Sequence, residues 1–559
     1  MLRAYEMQLD TDKIMKGGVG IVGGGSVGGE AIASGGYGCV LRPALKCQGD
    51  ADTHDGMISK LMNRGKAMDE MKEVDSAKKA LSKIPNYDKY FAVTGYKMCV
   101  PAKLSEEDKK NFGKECSSPL RAKFNQVNKH LHEFRALISP DLGMDVSKSI
   151  KTIFGTMKGK KNVKNVMLQL IRLNEAAIDL LQNGVSKMSS VGFYHSDVKP
   201  QNILTDFDPK RNADDNFTYM KLIDYGLALP HNAEWRDVNN NVLFNFPISA
   251  FMFDRYNVES INRKLERSAK KHNMNTHRYE FENDFKYQFE EMIDNVFNSR
   301  GFSHLSYMIY LGAKAYSVSE DEYKLMLKQF YIEYCSEIIF EFLDAPNRYK
   351  PTFDIEKYWN DVYRHNLDVW GLLTTFLILG AEASKRFKTI AAEYKPIVSN
   401  YLYNIHWAAK PIPVDKVVAD IEIVTVRLRN SAGVKDPAHK HLIANVKHNT
   451  PISVSKPRII QHKSKSKSKS ADIKMINLTS KPRLTIKKKA KVIKIKSIQK
   501  HTKSASQKHQ HNQKQSVSTS YSKMRGLNTI TLSSKRKRCP KGYRRHKTIK
   551  TKCVKMQRK

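Results

Sequence analysis

The stretch YHSDVKPQNIL (194–204) sets Asp197, Lys199 and Asn202 at the spacing D-x-K-x-x-N, and IDYG follows with Asp224 and Gly226, Asp224 lying 22 residues after Asn202. Two carboxylates, an ammonium and an amide are the groups that phosphoryl transfer draws on. That reaction asks a protein to position an already reactive group and to neutralise its charge. Hard oxygen ligands of this kind also suit Mg²⁺, which binds through one or two carboxylates plus substrate phosphates. A lone D-x-K-x-x-N arises easily by chance. Its weight comes from the helix before it, the hairpin after it and the D-aromatic-G beyond.

Those elements are legible in the periodicity. Between 164 and 190, Ile171, Ile178, Leu181, Val185 and Met188 recur at helical intervals, so a long helix leads into the motif. NILTDF and YMKLIDY read as a short β-hairpin that carries Asn202 and Asp224. Upstream, EAIAS, CVLRPAL and MISKLM are strand-like runs between about 30 and 60, and a helix is expected over 64–83. From 250 to about 425 the pattern is mostly helical. VWGLLTTFLILGA (369–381) is too short to span a bilayer and reads as a buried helix. The fold class expected is α+β, with a strand-rich front and a helix-rich back.

Two glycine-rich stretches compete for a phosphate-wrapping role. GGGSVG (23–28) fits G-x-G-x-x-G, yet GEAIASGG after it leaves no room for the helix a dinucleotide site needs, so an oxidoreductase reading fails. ASGGYG (33–38) has Ala33 in place of the first glycine. It has better surroundings: EAIA before it, Gly35, Gly36, Tyr37 and Gly38 within it, Val40 two places on, and Lys60 beyond. The imperfect loop is the one expected over a nucleotide.

The pair of motifs resembles the catalytic and metal-binding loops of eukaryotic-type serine/threonine protein kinases, across about 30–425. SGGYGCVLRPALKC (34–47), YHSDVKPQNIL and RCPKGYRRHKTIKTKC (538–553) resemble segments of divergent kinases from nucleocytoplasmic large DNA viruses. The resemblance implies a bilobal protein-kinase-like fold, with ATP and Mg²⁺ as cofactors and Ser/Thr side chains of proteins as substrates. It makes Asp197 the proton acceptor and Lys199 the stabiliser of charge on the moving phosphate, with Asn202 and Asp224 as the metal ligands. Lys60 in MISK becomes the lysine on the α- and β-phosphates, paired with Glu73 in preference to Glu70 one turn earlier. Ala33, Gly35, Gly36, Tyr37, Gly38 and Val40 would cover ATP. Backbone groups around Ser139 to Leu142 would meet adenine. Gly226 allows the turn behind Asp224, and Asp368 in LDVWG would hold the catalytic-loop backbone. Lys199 points to Ser/Thr rather than tyrosine substrates.

The chain also departs from that pattern. Ser196 stands where H-R-D has arginine, Tyr225 replaces phenylalanine, and FNFPISAF (244–251) is the nearest relative of A-P-E. About 120 residues separate that segment from Asp368. The expected division is a glycine-rich 1–29, an N-lobe over 30–143, a C-lobe over 144–430 with a helical insert at about 255–362, and a disordered basic tail over 431–559.

Charge is concentrated in that tail. Residues 451–559 hold 34 of the 96 Lys+Arg and one of the 56 acidic residues, a net +33 that leaves +7 for 1–450. Such an arm suits nucleic acid or acidic protein surfaces. KRKR (535–538) has the form of a nuclear-import signal. Cys539, His546 and Cys553 fall short of a structural zinc set. Seven scattered cysteines and no signal peptide suggest a reducing, intracellular setting, the host cytoplasm, with nuclear entry or packaging in a particle as variants. The alternative function is a catalytically weak scaffold of the same fold that binds polyanions through its tail.

Overall fold

The structure, a computed structural model, describes residues 29–34, 38–49, 56–116, 124–155, 163–298, 302–345, 349–434, 529–531, 543–545 and 552–555. The clean glycine motif at 23–28 and the tip residues Gly35, Gly36 and Tyr37 lie outside the described residues.

Strands β1 (Glu30–Ser34), β2 (Gly38–Arg42), β3 (Met57–Asn63), β4 (Lys97–Cys99) and β5 (Phe134–Pro140) form an antiparallel sheet in the order β1-β2-β3-β5-β4. β3 and β5 pair along their whole length, from Met57 opposite Pro140 to Asn63 opposite Phe134. Gly38 starts β2 where a Cβ would sit 2.8 Å from Leu61 O, so close strand approach requires glycine there. Ala33 is an ordinary strand residue opposite Val40, next to a bulge, and its backbone makes no demand for glycine. One face of the sheet buries Ala31, Cys39, Leu41, Leu61, Phe134, Ala136 and Ile138 in a small core of its own.

Two disulfides staple this region, Cys39–Cys116 and Cys47–Cys99. Sequence spacing gave no sign of them, because the partners lie 77 and 52 residues apart and meet only through the sheet.

Helix α1 (Arg64–Leu81) follows β3 directly and buries Ala67, Val74, Ala77 and Leu81 along one stripe. After β5 come β6 (Met144–Asp145), α2 (Val146–Gly155) and α3 (Val163–Asp179), whose helical path continues to Val191. β7 (Ile203–Thr205) and β8 (Met220–Leu222) pair antiparallel and form the expected hairpin, with β6 on the outer side of β7. The remainder, apart from a short antiparallel pair at Leu343–Asp344 and Thr352–Phe353, is mostly helical: α4 (Arg255–Lys271), α5 (Arg278–Phe297), α6 (Phe302–Tyr316), α7 (Glu320–Glu341), α8 (Arg364–Ser384), α9 (Lys388–Ile397) and α10 (Val414–Ala432).

α8 is the axle of the larger core. It extends an apolar run from Ile355 that is long enough to cross a membrane by composition, yet 89% of its apolar window is buried inside the protein. This is the core helix that the apolar run at 369–381 implied, with wider limits.

The described residues beyond 458 belong to a second unit of the chain. In it Thr529–Thr531 and Tyr543–Arg545 flank Lys552–Lys555 in a three-stranded antiparallel sheet. The tail was expected to be largely disordered; short β-branched runs such as TIT escape notice among so many lysines.

Candidate active site

The hairpin does the first positioning. Ile203 pairs with Leu222 across β7 and β8, and Ile223 N donates to Asn202 O at 3.0 Å, so Asn202 and Asp224 emerge side by side. On the far side of the loop, Tyr194 and Leu229 exchange backbone hydrogen bonds of 3.2 and 2.8 Å. The two motifs are thereby joined at both ends.

Between those ties the loop is held from below by α8. Asp368 accepts from His195 N (2.9 Å) and Ser196 N (2.8 Å). Burial pushes its carboxyl above the usual range, and the two N–H donors work against that. The anchoring predicted for Asp368 is present. α8 comes this close because residue 371 is glycine: a Cβ there would lie 2.2 Å from Val198 O. Ser196 takes a left-handed backbone at φ 58°, a conformation most non-glycine residues avoid.

His195 is fully buried, with Nε2 3.0 Å from Ile223 O and Nδ1 3.3 Å from Asp197 N. A carbonyl only accepts and an amide N–H only donates, so the proton is assigned to Nε2. The Tyr225 ring lies 5.2 Å from His195 and 6.2 Å from Phe193, and its hydroxyl donates to Leu222 O at 2.9 Å. Tyrosine thus fills an aromatic slot and finds a partner for its extra oxygen.

Asp197 is 3% exposed and surrounded by donors. Its Oδ2 accepts from Lys199 Nζ (2.7 Å) and Asn202 Nδ2 (2.8 Å), and its Oδ1 from Asn245 Nδ2 (3.0 Å). Burial raises the Asp197 carboxyl above its ordinary range; Lys199 opposes this and the Asp224 charge adds to it. Asp224 is exposed, sits at φ 68° and makes no hydrogen bond or ion pair among the described residues.

Lys60, on β3 opposite Leu137, reaches the same region. Its ammonium contacts both oxygens of Glu70, at 2.8 and 2.6 Å. Burial works to lower the Lys60 pKa, but Glu70, Asp224 and Glu73 outweigh it and the net direction is up. Glu70 therefore takes the place assigned to Glu73. Glu73 lies beside Gly226, with Oε2 3.5 Å from where a Cβ would be, and burial followed by Glu70 and Asp224 raises its carboxyl. Counting towards a downstream landmark misled the choice. On a helix turning about 100° per residue, Glu70 falls about 25° from the centre of the Ala67–Val74–Ala77–Leu81 stripe and Glu73 about 85° away.

The donor set is of a kind that suits Mg²⁺. Among the described residues no three His, Cys, Asp or Glu side chains cluster to hold a metal by themselves. An exposed Asp224 beside Asn202 offers the small, oxygen-only set that leaves room for phosphate ligands. Asp141 and Leu142 follow β5 and connect it to β6, and Arg42 ties Asp141 to β2 at 2.6 Å. This puts the segment proposed for adenine at the end of β5.

Sequence reasoning missed Asn245. It stands between buried Phe244 and Phe246, and a polar side chain framed by core aromatics was the available signal.

Comparison with known proteins finds no matching family model and no matching curated sequence.

Proposed function

We propose that this protein is an ATP-dependent protein kinase of two lobes, acting on Ser and Thr hydroxyls and akin to the divergent kinases of large DNA viruses. The observation that carries this reading is the exposed carboxylate of Asp224 next in the chain to Ile223, whose N–H is bonded to Asn202 O, while Asn202 and Lys199 both hold Asp197. Two motifs separated in the chain are thus tied together, in the roles phosphoryl transfer requires.

Mg²⁺ and ATP would supply the transferable group and part of its charge neutralisation, held by Asn202, Asp224 and Lys60. Asp197 orients the substrate hydroxyl and takes its proton. Burial, which raises its pKa, makes it a stronger base than an exposed aspartate. Lys199, already 2.7 Å from Asp197, places a positive charge beside the reacting oxygen. Glu70 keeps the Lys60 ammonium aimed, and Asp368 keeps the loop backbone in shape.

The tail adds a partner class. Its +33 over 451–559 suits nucleic acid or another polyanion, with affinity falling steeply as salt rises. A weakly catalytic scaffold is the second reading, favoured by Ser196, whose buried Oγ has no hydrogen-bond partner among the described residues and carries no charge for a phosphorylated loop.

Incubating the full chain with γ-labelled ATP, Mg²⁺ and a basic protein tests the first reading. Label on phosphoserine or phosphothreonine, lost in Asp224→Asn and on chelating Mg²⁺, is expected. ATP binding without any label on protein would favour the scaffold.

A further inference from the structure

The segment 239–247 runs between the Asp224 loop and the short helix Ile248–Phe253 without regular secondary structure. One turn bond, Phe246 N to Leu243 O at 3.2 Å, is its internal backbone tie. Its position is therefore set mainly by side chains, and two of them form a chain of contacts into the site.

Asn245 is 1% exposed, and its amide donates both to Asp197 Oδ1 (3.0 Å) and to Val198 O (3.2 Å). Both partners are oxygens that accept, so the orientation of the amide is settled by chemistry. Together with Lys199 and Asn202 on Oδ2, this contact pins both oxygens of Asp197 and fixes the rotation of the carboxylate.

The neighbouring Phe244 is gripped by α6. His304 stacks on its ring at 6.0 Å and 14°, and Tyr307 meets it edge-on at 5.3 Å and 84°. Residues three apart share a helix face, so the two rings form one jaw. α6 in turn lies against α8, the helix that carries Asp368 and Gly371. The insert thus reaches within one residue of the group that holds Asp197, and it is braced on the helix that shapes the loop.

Resting on the reading of Asp197 as the base, we infer that the helical insert sets the catalytic geometry: α6 fixes Phe244 so that Asn245 acts as the positioning residue for Asp197. An insert that only thickened the protein would affect stability, whereas this one governs turnover.

The test is the split between kcat and KM for ATP in the full chain. Asn245→Ala is expected to lower kcat by roughly 10²-fold, the loss that small misplacements of a reacting group cause, with KM for ATP within about twofold of wild type. Phe244→Ala and His304→Ala should lower kcat in the same pattern, and His304→Phe should restore most of what His304→Ala loses. The double variant Phe244→Ala/Asn245→Ala should be no slower than Asn245→Ala alone, because both act through one contact. Unchanged kcat in Asn245→Ala, or losses that multiply in the double variant, would overturn the inference. Should Phe244→Ala fail to fold, the His304→Ala and His304→Phe pair decides it: equal kcat in both and in wild type overturns it. If wild type itself transfers no phosphate, the kinase reading has failed and the inference falls with it, a result distinct from an active wild type indifferent to Asn245.

Discussion

Lys60 Nζ lies 2.6 Å from Glu70 Oε2, while Glu73, one turn further along the same helix, sits by Gly226 instead. The two glutamates therefore carry different burdens. Glu70→Gln removes the main charge that raises Lys60, leaving burial free to lower its pKa. We expect kcat/KM for ATP to fall about tenfold to a hundredfold in Glu70→Gln and less than about threefold in Glu73→Gln. Steady-state kinetics of the two variants check this, and equal losses would contradict it.

Gly371 is a contact glycine. A methyl group 2.2 Å from Val198 O must push α8 and the loop around Val198 apart, so Gly371→Ala should cost about 1–3 kcal/mol and much of the proposed activity. Gly380, on the same helix, would place a Cβ 3.8 Å from Ala315 Cβ, an ordinary contact. Gly380→Ala should be neutral or stabilising by up to about 1 kcal/mol. Urea unfolding of both variants separates the two cases.

His304 gives a pH signature. Burial, with Lys199 second, lowers its pKa from 6.5 to about 4. As pH falls below 6.5 the unfolded chain takes up this proton while the folded protein does not, so stability present at neutral pH is lost towards pH 4. The linkage amounts to about 3 kcal/mol. Comparing wild type with His304→Phe from pH 7.5 to 4 isolates it; curves that stay parallel would contradict it.

The disulfides predict a redox-dependent stability. Closing loops of 77 and 52 residues stabilises by up to about 4 kcal/mol each in the chain-entropy view. Non-reducing peptide mapping should recover Cys39–Cys116 and Cys47–Cys99, and dithiothreitol should lower the unfolding midpoint. Four freely alkylated thiols in the untreated protein would refute the pairing.

How much of this the sequence disclosed depended on the range of the contacts. The helix before the motif, the Asn202–Asp224 hairpin and the apolar run inside α8 follow from local periodicity, and all three were legible. Glu70 was within reach, since the burial stripe of α1 contains it. The disulfides, the Asn245 contact and the Phe244–His304 stack join residues 48 to 77 apart, or an insert to a loop. Such contacts leave no periodic trace in a single chain. Ala33 looked like damage to a glycine motif because spacing alone does not show that β1 needs no left-handed residue there.

The most direct measurement is the rate of γ-phosphoryl transfer to serine or threonine by wild type and by Asp197→Asn, with ATP affinity determined alongside. The account predicts a loss of about 10³-fold in rate, with the dissociation constant for ATP within about twofold of wild type. An Asp197→Asn protein that transfers phosphate as fast as wild type would contradict it.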